Sequence, residues 1–407
     1  MSVCLCFSLF FKWESLTVVD IDQQIASIAR GTTEIINLDI LKSKLIRAAE
    51  TGRPLKVKAG FDPTAPDIHL GHVVLLRKLR QFQDMGHRVC FLIGDFTAQI
   101  GDPSGRDQLR PKMSPDVVTR NAQTYKQQVF KILDPQRTEV VFNSQWLAGL
   151  TAQQVLELSA HSTVAQMLAR ADFKKRFEEQ KEISILELFY PLLQGYDSVV
   201  LKADIECGGS DQTFKLLMGR QLQEAYGQEP QVVLMTPLLE GTDGEKKMSK
   251  SLHNYIGIDE PPDEIVGKIM SISDELMMRY YEVLTMESLP GVKAMHPKEA
   301  KLKLGEIIVE MFYNAEEARE ASARFQKVFS QKQLPDDMPE YILSSEESRL
   351  IADILIESGL APSKKEVRRL LVQGAVTWNG EKILDENWAP QPGVLKVGKR
   401  RFLKMVR

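Results

Sequence analysis

The sequence is poor in cysteine, and that scarcity argues against two kinds of scaffold. Four cysteines occur in 407 residues: Cys4, Cys6, Cys90 and Cys207. Two are scattered, and the Cys4/Cys6 pair has no matching Cys or His pair. Neither a disulfide framework nor a structural zinc site is expected, and the usage fits a reducing cytoplasm. The chain also lacks any apolar run long enough to cross a membrane. It has no internal repeat, no low-complexity segment and no G-x-x-x-x-G-K-[ST] phosphate loop. The opening MSVCLCFSLFFKWESL carries an apolar patch but neither a basic n-region nor a small-residue cleavage site, so it reads poorly as a signal peptide. Residues 1–20 are set aside as a disordered extension.

What remains is an ordinary globular composition, 43% hydrophobic and 26% charged, in a chain long enough for two or three domains. The net charge of −3 hides an asymmetry. Residues 361–407 hold 11 Lys or Arg against 4 Asp or Glu. A basic tail on an acidic body suits nucleic acid, although charge alone also fits a solvated surface.

Residues 20–50 read as two helical stretches that part near Gly31. PLKVKAGF (54–61) reads as a strand. The turn DPTAPD follows, with Asp67 a candidate cap for the helix that opens with HLGH and stops near Gly86. RVCFLIGDF (88–96) is continuously apolar, as buried parallel strands are. Helical stretches are expected over 115–133 and 151–181, with a short strand in VVFNSQW (140–146) between them. ADIECGGSDQ (203–212) and PQVVLMTPLLEG (230–241) supply further strands. The alternation predicts a parallel sheet with helices on both faces. Residues 262–330 lack strand signals and read as helical. The stretch 331–341 reads as a linker, and 342–407 as helix followed by short strands near Asn379-Gly380 and Pro392-Gly393.

Two motifs point to phosphate chemistry. In His69-Leu70-Gly71-His72 two histidines flank a glycine at a helix N-terminus. That end favours anions, the imidazoles can donate to phosphate oxygens, and a glycine allows a flat base to approach. The second motif is Lys247-Met248-Ser249-Lys250-Ser251, in a Gly-containing loop. Two lysines there can neutralise a departing pyrophosphate. A solvated Lys/Ser loop is the plain alternative. This five-residue string would arise by chance in on the order of one chain in ten thousand, which favours the functional reading.

H-x-G-H followed by KMSKS on an α/β domain resembles the class I aminoacyl-tRNA synthetases. GFDPTAPDIHLGH, IGDPSGR, YPLLQGYD, GGSDQ and KMSKS together resemble the bacterial tyrosyl enzymes, from about residue 35 to the C-terminus. The resemblance implies a Rossmann-like parallel-sheet catalytic domain over 21–256 with an inserted helical segment. A helical tRNA (anticodon)-binding domain over 257–335 and a small α+β S4-like RNA-binding domain over 342–407 would follow. It implies a cytoplasmic homodimer that takes tyrosine, ATP with Mg2+ and tRNA(Tyr), with no membrane partner.

By the same resemblance, His69, His72, Thr64, Arg106, Arg110, Lys247 and Lys250 stabilise the transferring phosphates. Gly71, Gly209, Asp211, Met248, Ser249 and Ser251 belong with ATP, and Asp62 lines the ATP and tyrosine subsites. Asp102 pairs with the α-ammonium of tyrosine, Tyr190 and Gln194 contact its amino group, Asp197 accepts from its phenol, and Gln212 lies near its carboxylate. Tyr190, Gln194 and Asp197 fall on one helix face, although spacing alone would fit an ordinary polar stripe. Two positions depart from the family pattern. Lys58 stands where many bacterial enzymes carry a second phenol-contacting Tyr. It either replaces that contact, holds Asp197 ionised, or points to solvent. Lys215 stands where an Asn often follows GGSDQ. In the tail, Lys364, Lys365, Arg368 and Arg369 share adjacent turns of one helix and could meet tRNA phosphates. The tryptophanyl enzymes are the nearest rival, and the Gln194/Asp197 pattern before GGSDQ favours tyrosine. A catalytically idle RNA-binding scaffold is the other rival, and the intact motifs argue against it.

Overall fold

The structure, a computed structural model, describes residues 20–63, 67–102, 113–330, 338–343, 349–398 and 401–406, with side chains to 327 in the third span. Thr64, Arg106 and Arg110 lie outside the described residues, as does 1–19. The chain divides into two compact units, one ending at Ser322 and the other starting at Ala323.

The first unit is built on a six-stranded sheet: β1 (Glu34–Ile36), β2 (Lys56–Phe61), β3 (Arg88–Ile93), β4 (Thr138–Phe142), β5 (Ile205–Gly209) and β6 (Val232–Thr236). The spatial order is β1-β6-β5-β2-β3-β4. All pairs are parallel except β1 with β6. In β3 five of six residues are buried, and in β6 all five are, as strands covered on both faces must be. The chain runs outward from β2 through β3 to β4, then returns to the other side of β2 to lay down β5. The order therefore reverses between β2 and β5. In an open α/β sheet the crevice beyond the strand ends at such a reversal is where ligands bind. Here β2 ends at Phe61, just before Asp62, and β5 ends at Gly209, just before Ser210 and Asp211.

One expectation is extended and one corrected. The two helical stretches expected over 20–50 are both present, and the break between them holds a strand. Helices Ile21–Ala29 and Leu38–Thr51 flank β1, whose register Glu34↔Met235 to Ile36↔Val233 adds an antiparallel edge to the sheet. Three residues are too few to show an alternation against two strongly periodic neighbours. The helix after β2 spans Leu70–Asp84 and is capped by His69, not Asp67.

After Gly257 the first unit continues as helices. Asp274–Leu284 packs against Leu70–Asp84, and Pro262–Ser271 against Pro297–Phe312, where Gly305 meets Val266.

The second unit is α+β. Its sheet has the order β7-β11-β10-β8-β9, formed by β7 (Glu340–Ile342), β8 (Val376–Trp378), β9 (Glu381–Lys382), β10 (Gly393–Val397) and β11 (Arg401–Val406). Asn379 and Gly380 both take positive φ between β8 and β9, as a tight two-residue hairpin requires. Helices Ile351–Glu357 and Lys364–Val372 bury Ile354, Leu355, Val367 and Leu371 in one core with Leu395 and Leu403.

Candidate active site

A cavity of about 990 Å³ in the first unit opens at the sheet's reversal point. Its walls include Asp62, His69, His72, Asp102, Tyr190, Gln194, Asp197, Asp211, Gln212, Lys247 and Lys250. Thus five separate sequence segments meet at one crevice of ligand-binding size.

At one end lies the H-x-G-H turn. His69 Nδ1 accepts from Gly71 N at 3.2 Å, and His72 Nδ1 accepts from His69 N at 3.2 Å. Burial and the nearby lysine charges push His72 down to about 4. His69 is held far below its ordinary value by burial first, then by His72. Both rings are therefore neutral near pH 7. With each Nδ1 accepting, the proton sits on Nε2, which makes each ring a neutral Nε2–H donor. Gly71 has a local reason as well. A Cβ there would lie 3.0 Å from the His69 ring, tighter than ordinary contact, so a larger residue would press that ring away from the helix end.

Across from it lies the KMSKS loop. Met248 is buried, and its N–H donates to Leu239 O at 2.8 Å. Ser249 N donates to Asn254 Oδ1 at 2.8 Å, while Asn254 Nδ2 reaches Asp243 Oδ2 at 2.8 Å. Ser249 and Ser251 share a hydroxyl contact of 2.9 Å. Lys247 Nζ is 3.0 Å from Asp211 Oδ2, and Lys250 pairs with Asp67. Asp67, the expected helix cap, is thus a loop partner instead. Asp211 folds back over its own strand end, and a Cβ at Gly209 would come within 2.6 Å of its Oδ1.

Deeper in the cavity, two polar groups of side chains are joined by one hydrogen-bonded chain. Tyr190 OH donates to Asp62 Oδ2 at 2.8 Å, and Thr97 Oγ1 donates to Asp62 Oδ1 at 2.8 Å. Asn143 Nδ2 donates to Thr97 Oγ1 at 3.1 Å and, at 3.4 Å, to Asp197 Oδ2. Trp146 Nε1 donates to Asp197 Oδ1 at 2.8 Å. Tyr190, Gln194 and Asp197 come from the helix Ile185–Leu201, started by a reciprocal Ser184/Glu187 cap. Burial raises Asp62 to about 6, assisted by the Asp102 charge. It raises Asp197 to about 7, against the opposing charge of Lys58.

Lys58 is fully buried and does not point to solvent. Its Nζ lies 2.8 Å from Glu206 Oε1, 2.8 Å from Ser198 Oγ and 3.3 Å from Gln194 O. An ammonium has three donors, and these partners use all three. Donation to a substrate hydroxyl would therefore break one of these bonds. Lys58 is instead a fixed cation whose charge opposes the upward push of burial on Asp197.

In the second unit the basic helix is exposed but not unpaired. Lys364 meets Asp353 at 3.2 Å, Arg368 meets Glu386 at 2.7 Å and Arg369 meets Glu366 at 2.6 Å. Exposed pairs of this kind are weak and open at little cost to a phosphate.

Comparison with known proteins decides the family. The model for class I tRNA synthetases (W and Y) matches residues 50–330, and that for the tyrosine–tRNA ligase SYY-like C-terminal domain matches 330–393. The tyrosine–tRNA ligase of Geobacter metallireducens is 54% identical over 402 residues, covering 95% of this chain and 100% of that one. The ligase of Oleidesulfovibrio alaskensis is 52% identical over 399 residues, again 95% of this chain and 100% of that one.

The chain belongs to the tyrosine–tRNA ligase family.

Solved structures agree on the fold of this ligase family. A C-terminally truncated mitochondrial tyrosyl-tRNA synthetase from Aspergillus nidulans superposes with a TM-score of 0.63 at 22% identity, over 76% of this chain and 94% of that one. The tyrosyl-tRNA synthetase from Archaeoglobus fulgidus complexed with L-tyrosine gives 0.59 at 22% identity, over 74% and 100%. Like other aminoacyl-tRNA synthetases, members of the ligase family use ATP.

Sequence reasoning missed several residues of this family site. Thr97, Asn143 and Trp146 carry the chain between the two ends, and Asn254 ties the KMSKS loop. Each lies outside the signature strings. Trp146 had one legible signal: an indole closing an otherwise polar NSQW after a strand.

Proposed function

We propose that the chain activates tyrosine with ATP and transfers it to the 3′-terminal adenosine of tRNA(Tyr). The observation that carries the tyrosine assignment is Asp197. It is fully buried, held by Trp146 and Asn143, and connected through Thr97 and Asp62 to Tyr190. A carboxylate fixed at the inner end of the cavity suits a phenol O–H. The carboxylates of Asp62 and Asp102 suit an α-ammonium at the other end.

In the first step a tyrosine carboxylate oxygen attacks the α-phosphorus of ATP in line, and pyrophosphate leaves. The attacking group is already ionised, so no side chain need become covalently attached. The chain's contribution is positioning and charge. Neutral His69 and His72 donate to phosphate oxygens, and Lys247 and Lys250 exchange their carboxylate partners for the triphosphate. Thr64, Arg106 and Arg110 belong to the same phosphate end on the family resemblance. Magnesium arrives on the ATP. Asp211, freed from Lys247, takes the ribose hydroxyls. In the second step a terminal ribose hydroxyl of the tRNA attacks the adenylate carbonyl, and AMP leaves.

The second unit would hold the tRNA through Lys364, Lys365, Arg368 and Arg369, in an S4-like manner, with the helices after 257 taking the anticodon arm. A second copy of the chain is the fitting cover for the exposed apolar residues Leu156, Val164, Phe177 and Ile185 of the inserted segment, which supports a homodimer. A cytoplasmic location follows from the substrates; among the described residues no helix is long and apolar enough to cross a membrane. The test is charging of tRNA(Tyr) with labelled tyrosine. Purified chain should form an ester-linked, alkali-labile tyrosyl-tRNA, and failure to charge any tRNA with tyrosine would refute the assignment.

A further inference from the structure

Gln128 is a buried polar residue on the helix Pro115–Val129 that none of the proposed steps uses. Its side chain joins two segments. Gln128 Oε1 accepts from Ile68 N at 2.7 Å, and Gln128 Nε2 donates to Asp259 Oδ2. Ile68 leads directly into His69. Asp259 ends the stretch 256–259, the return of the KMSKS loop, which lies against the H-x-G-H turn. There Leu70 N donates to Ile256 O at 2.9 Å, and Ile258 N donates to Ile68 O at 3.2 Å. Asp259 is also paired with Lys131, at 2.6 Å. The same helix makes two further contacts here. Asn121 Nδ2 donates to Pro63 O at 2.9 Å, and the Tyr125 ring meets the His72 ring edge-on, with centroids 6.4 Å apart. Asn121, Tyr125 and Gln128 follow one another at helical spacing and are all buried.

We infer that Gln128 is a positioning residue of the ATP end, an amide clamp that sets the H-x-G-H turn against the return of the KMSKS loop. The inference rests on the tyrosine-activating reading above. Both motifs act on one triphosphate, so their mutual placement has to be right before the reaction starts. The backbone joins them by an isolated bridge between His69 and Gly257. That bridge uses Ile68 O but leaves Ile68 N to find another acceptor. Ile68 is only 1% exposed, so burial keeps water from this N–H. Gln128 supplies the acceptor. A primary amide suits the place because it accepts on one side and donates on the other. The backbone N–H needs the acceptor, and the Asp259 carboxylate takes the donor. A leucine would fill the same space and offer neither. The turn and the loop return would then shift apart, and the His69 and His72 rings would lose their aim at the phosphate oxygens. The side-chain hydrogen bonds of Gln128 go to Ile68 and Asp259, and neither belongs to the network from Tyr190 to Asp197. The effect therefore falls on ATP and not on tyrosine.

The test is tyrosine-dependent ATP–pyrophosphate exchange for wild type, Gln128→Leu and the double variant Gln128→Glu with Asp259→Asn, with rates normalised by active-site titration. The double variant exchanges the amide and the carboxylate between the two positions. It keeps an acceptor for Ile68 N and a donor–acceptor pair between the side chains. In Gln128→Leu, kcat/KM for ATP should fall by about 10-fold, while the equilibrium affinity for tyrosine stays at the wild-type value. The double variant should recover most of the loss. An unchanged kcat/KM for ATP in Gln128→Leu overturns the inference. So does an equal loss of tyrosine affinity, which a general loosening of the fold would produce. A double variant no better than Gln128→Leu overturns it too. If Gln128→Leu does not fold, the double variant carries the test by its ATP kinetics, which should stay within a few-fold of wild type. If neither folds, Gln128 is a core residue and the inference is likewise overturned. Because wild-type exchange with tyrosine is measured in the same series, failure of the functional reading is seen separately from failure of this one.

Discussion

Lys247 and Asp211 form an ion pair of 3.0 Å across the cleft, although the family resemblance assigns one to the triphosphate and the other to the ribose. Both are partly exposed, so the pair is weak and easily exchanged for a nucleotide. The lysine thus meets its phosphate partner only as ATP enters, and its charge counts most as pyrophosphate departs. Lys247→Ala should lower the single-turnover rate of adenylate formation by about 100-fold, with a much smaller change in tyrosine affinity. Stopped-flow fluorescence and equilibrium binding measure the two separately. A collapse of tyrosine affinity at an unchanged saturated rate would contradict the assignment.

Asp197 should govern both recognition and pH response. Asp197→Asn removes the charged acceptor, and kcat/KM for tyrosine should fall by roughly 10- to 100-fold, the range for a hydrogen bond to a charged group. Discrimination against phenylalanine should fall with it. The folded-state proton affinity is raised, to about 7, so the folded chain binds this proton more tightly than the unfolded chain does. The associated stability is fully present below the ordinary carboxylate range and is lost as pH rises through about 7. The unliganded Asn variant should therefore gain thermal stability relative to wild type between pH 5 and pH 8. Melting curves at both pH values check the sign.

Lys58→Met should strand the Glu206 carboxylate. Glu206 Oε2 accepts from Ser198 Oγ at 2.9 Å and from Gln231, but neither brings a charge. Breaking one side of a buried pair costs about 3–5 kcal/mol. Lys58→Met with Glu206→Gln should recover part of the loss, measured by denaturant titration. If the single variant is as stable as wild type, Lys58 is not the cation that the network is built around.

Replacing Lys364, Lys365, Arg368 and Arg369 by Ala should leave tyrosine-dependent pyrophosphate exchange near wild type and sharply reduce tRNA charging. The four side chains are exposed, so their loss leaves the fold intact, and the residual tRNA affinity should show a shallower salt dependence. Charging and exchange at two salt concentrations decide the point. Equal charging by wild type and variant would reduce the basic helix to a solvated face.

The parallel sheet was legible because β3 and β6 are continuously apolar. β1 was not, because its three residues gain their conformation from the edge of β6 and not from their own pattern. The signature strings located His69, Asp211 and Lys250, but not what each does locally. Asp67 was read as a helix cap because its side chain suits that role. The cap went to His69, whose Nδ1 is better placed once Gly71 makes room. Lys58 could be placed on β2 from the sequence, but its partners Glu206 and Ser198 lie about 150 positions later in the chain on a neighbouring strand and helix. The indole of Trp146 stands out after its strand, but its tie to Asp197 was not legible for the same reason: the two meet only through the tertiary fold.

The most direct test of the central claim is ATP–pyrophosphate exchange with each amino acid in turn. The account predicts exchange with tyrosine, and little with phenylalanine or tryptophan at equal concentration, because phenylalanine offers Asp197 no donor and the bicyclic indole does not carry its N–H at the far end of a single ring as a phenol carries its O–H. Exchange driven by tryptophan in place of tyrosine, or equally by phenylalanine and tyrosine, would contradict it.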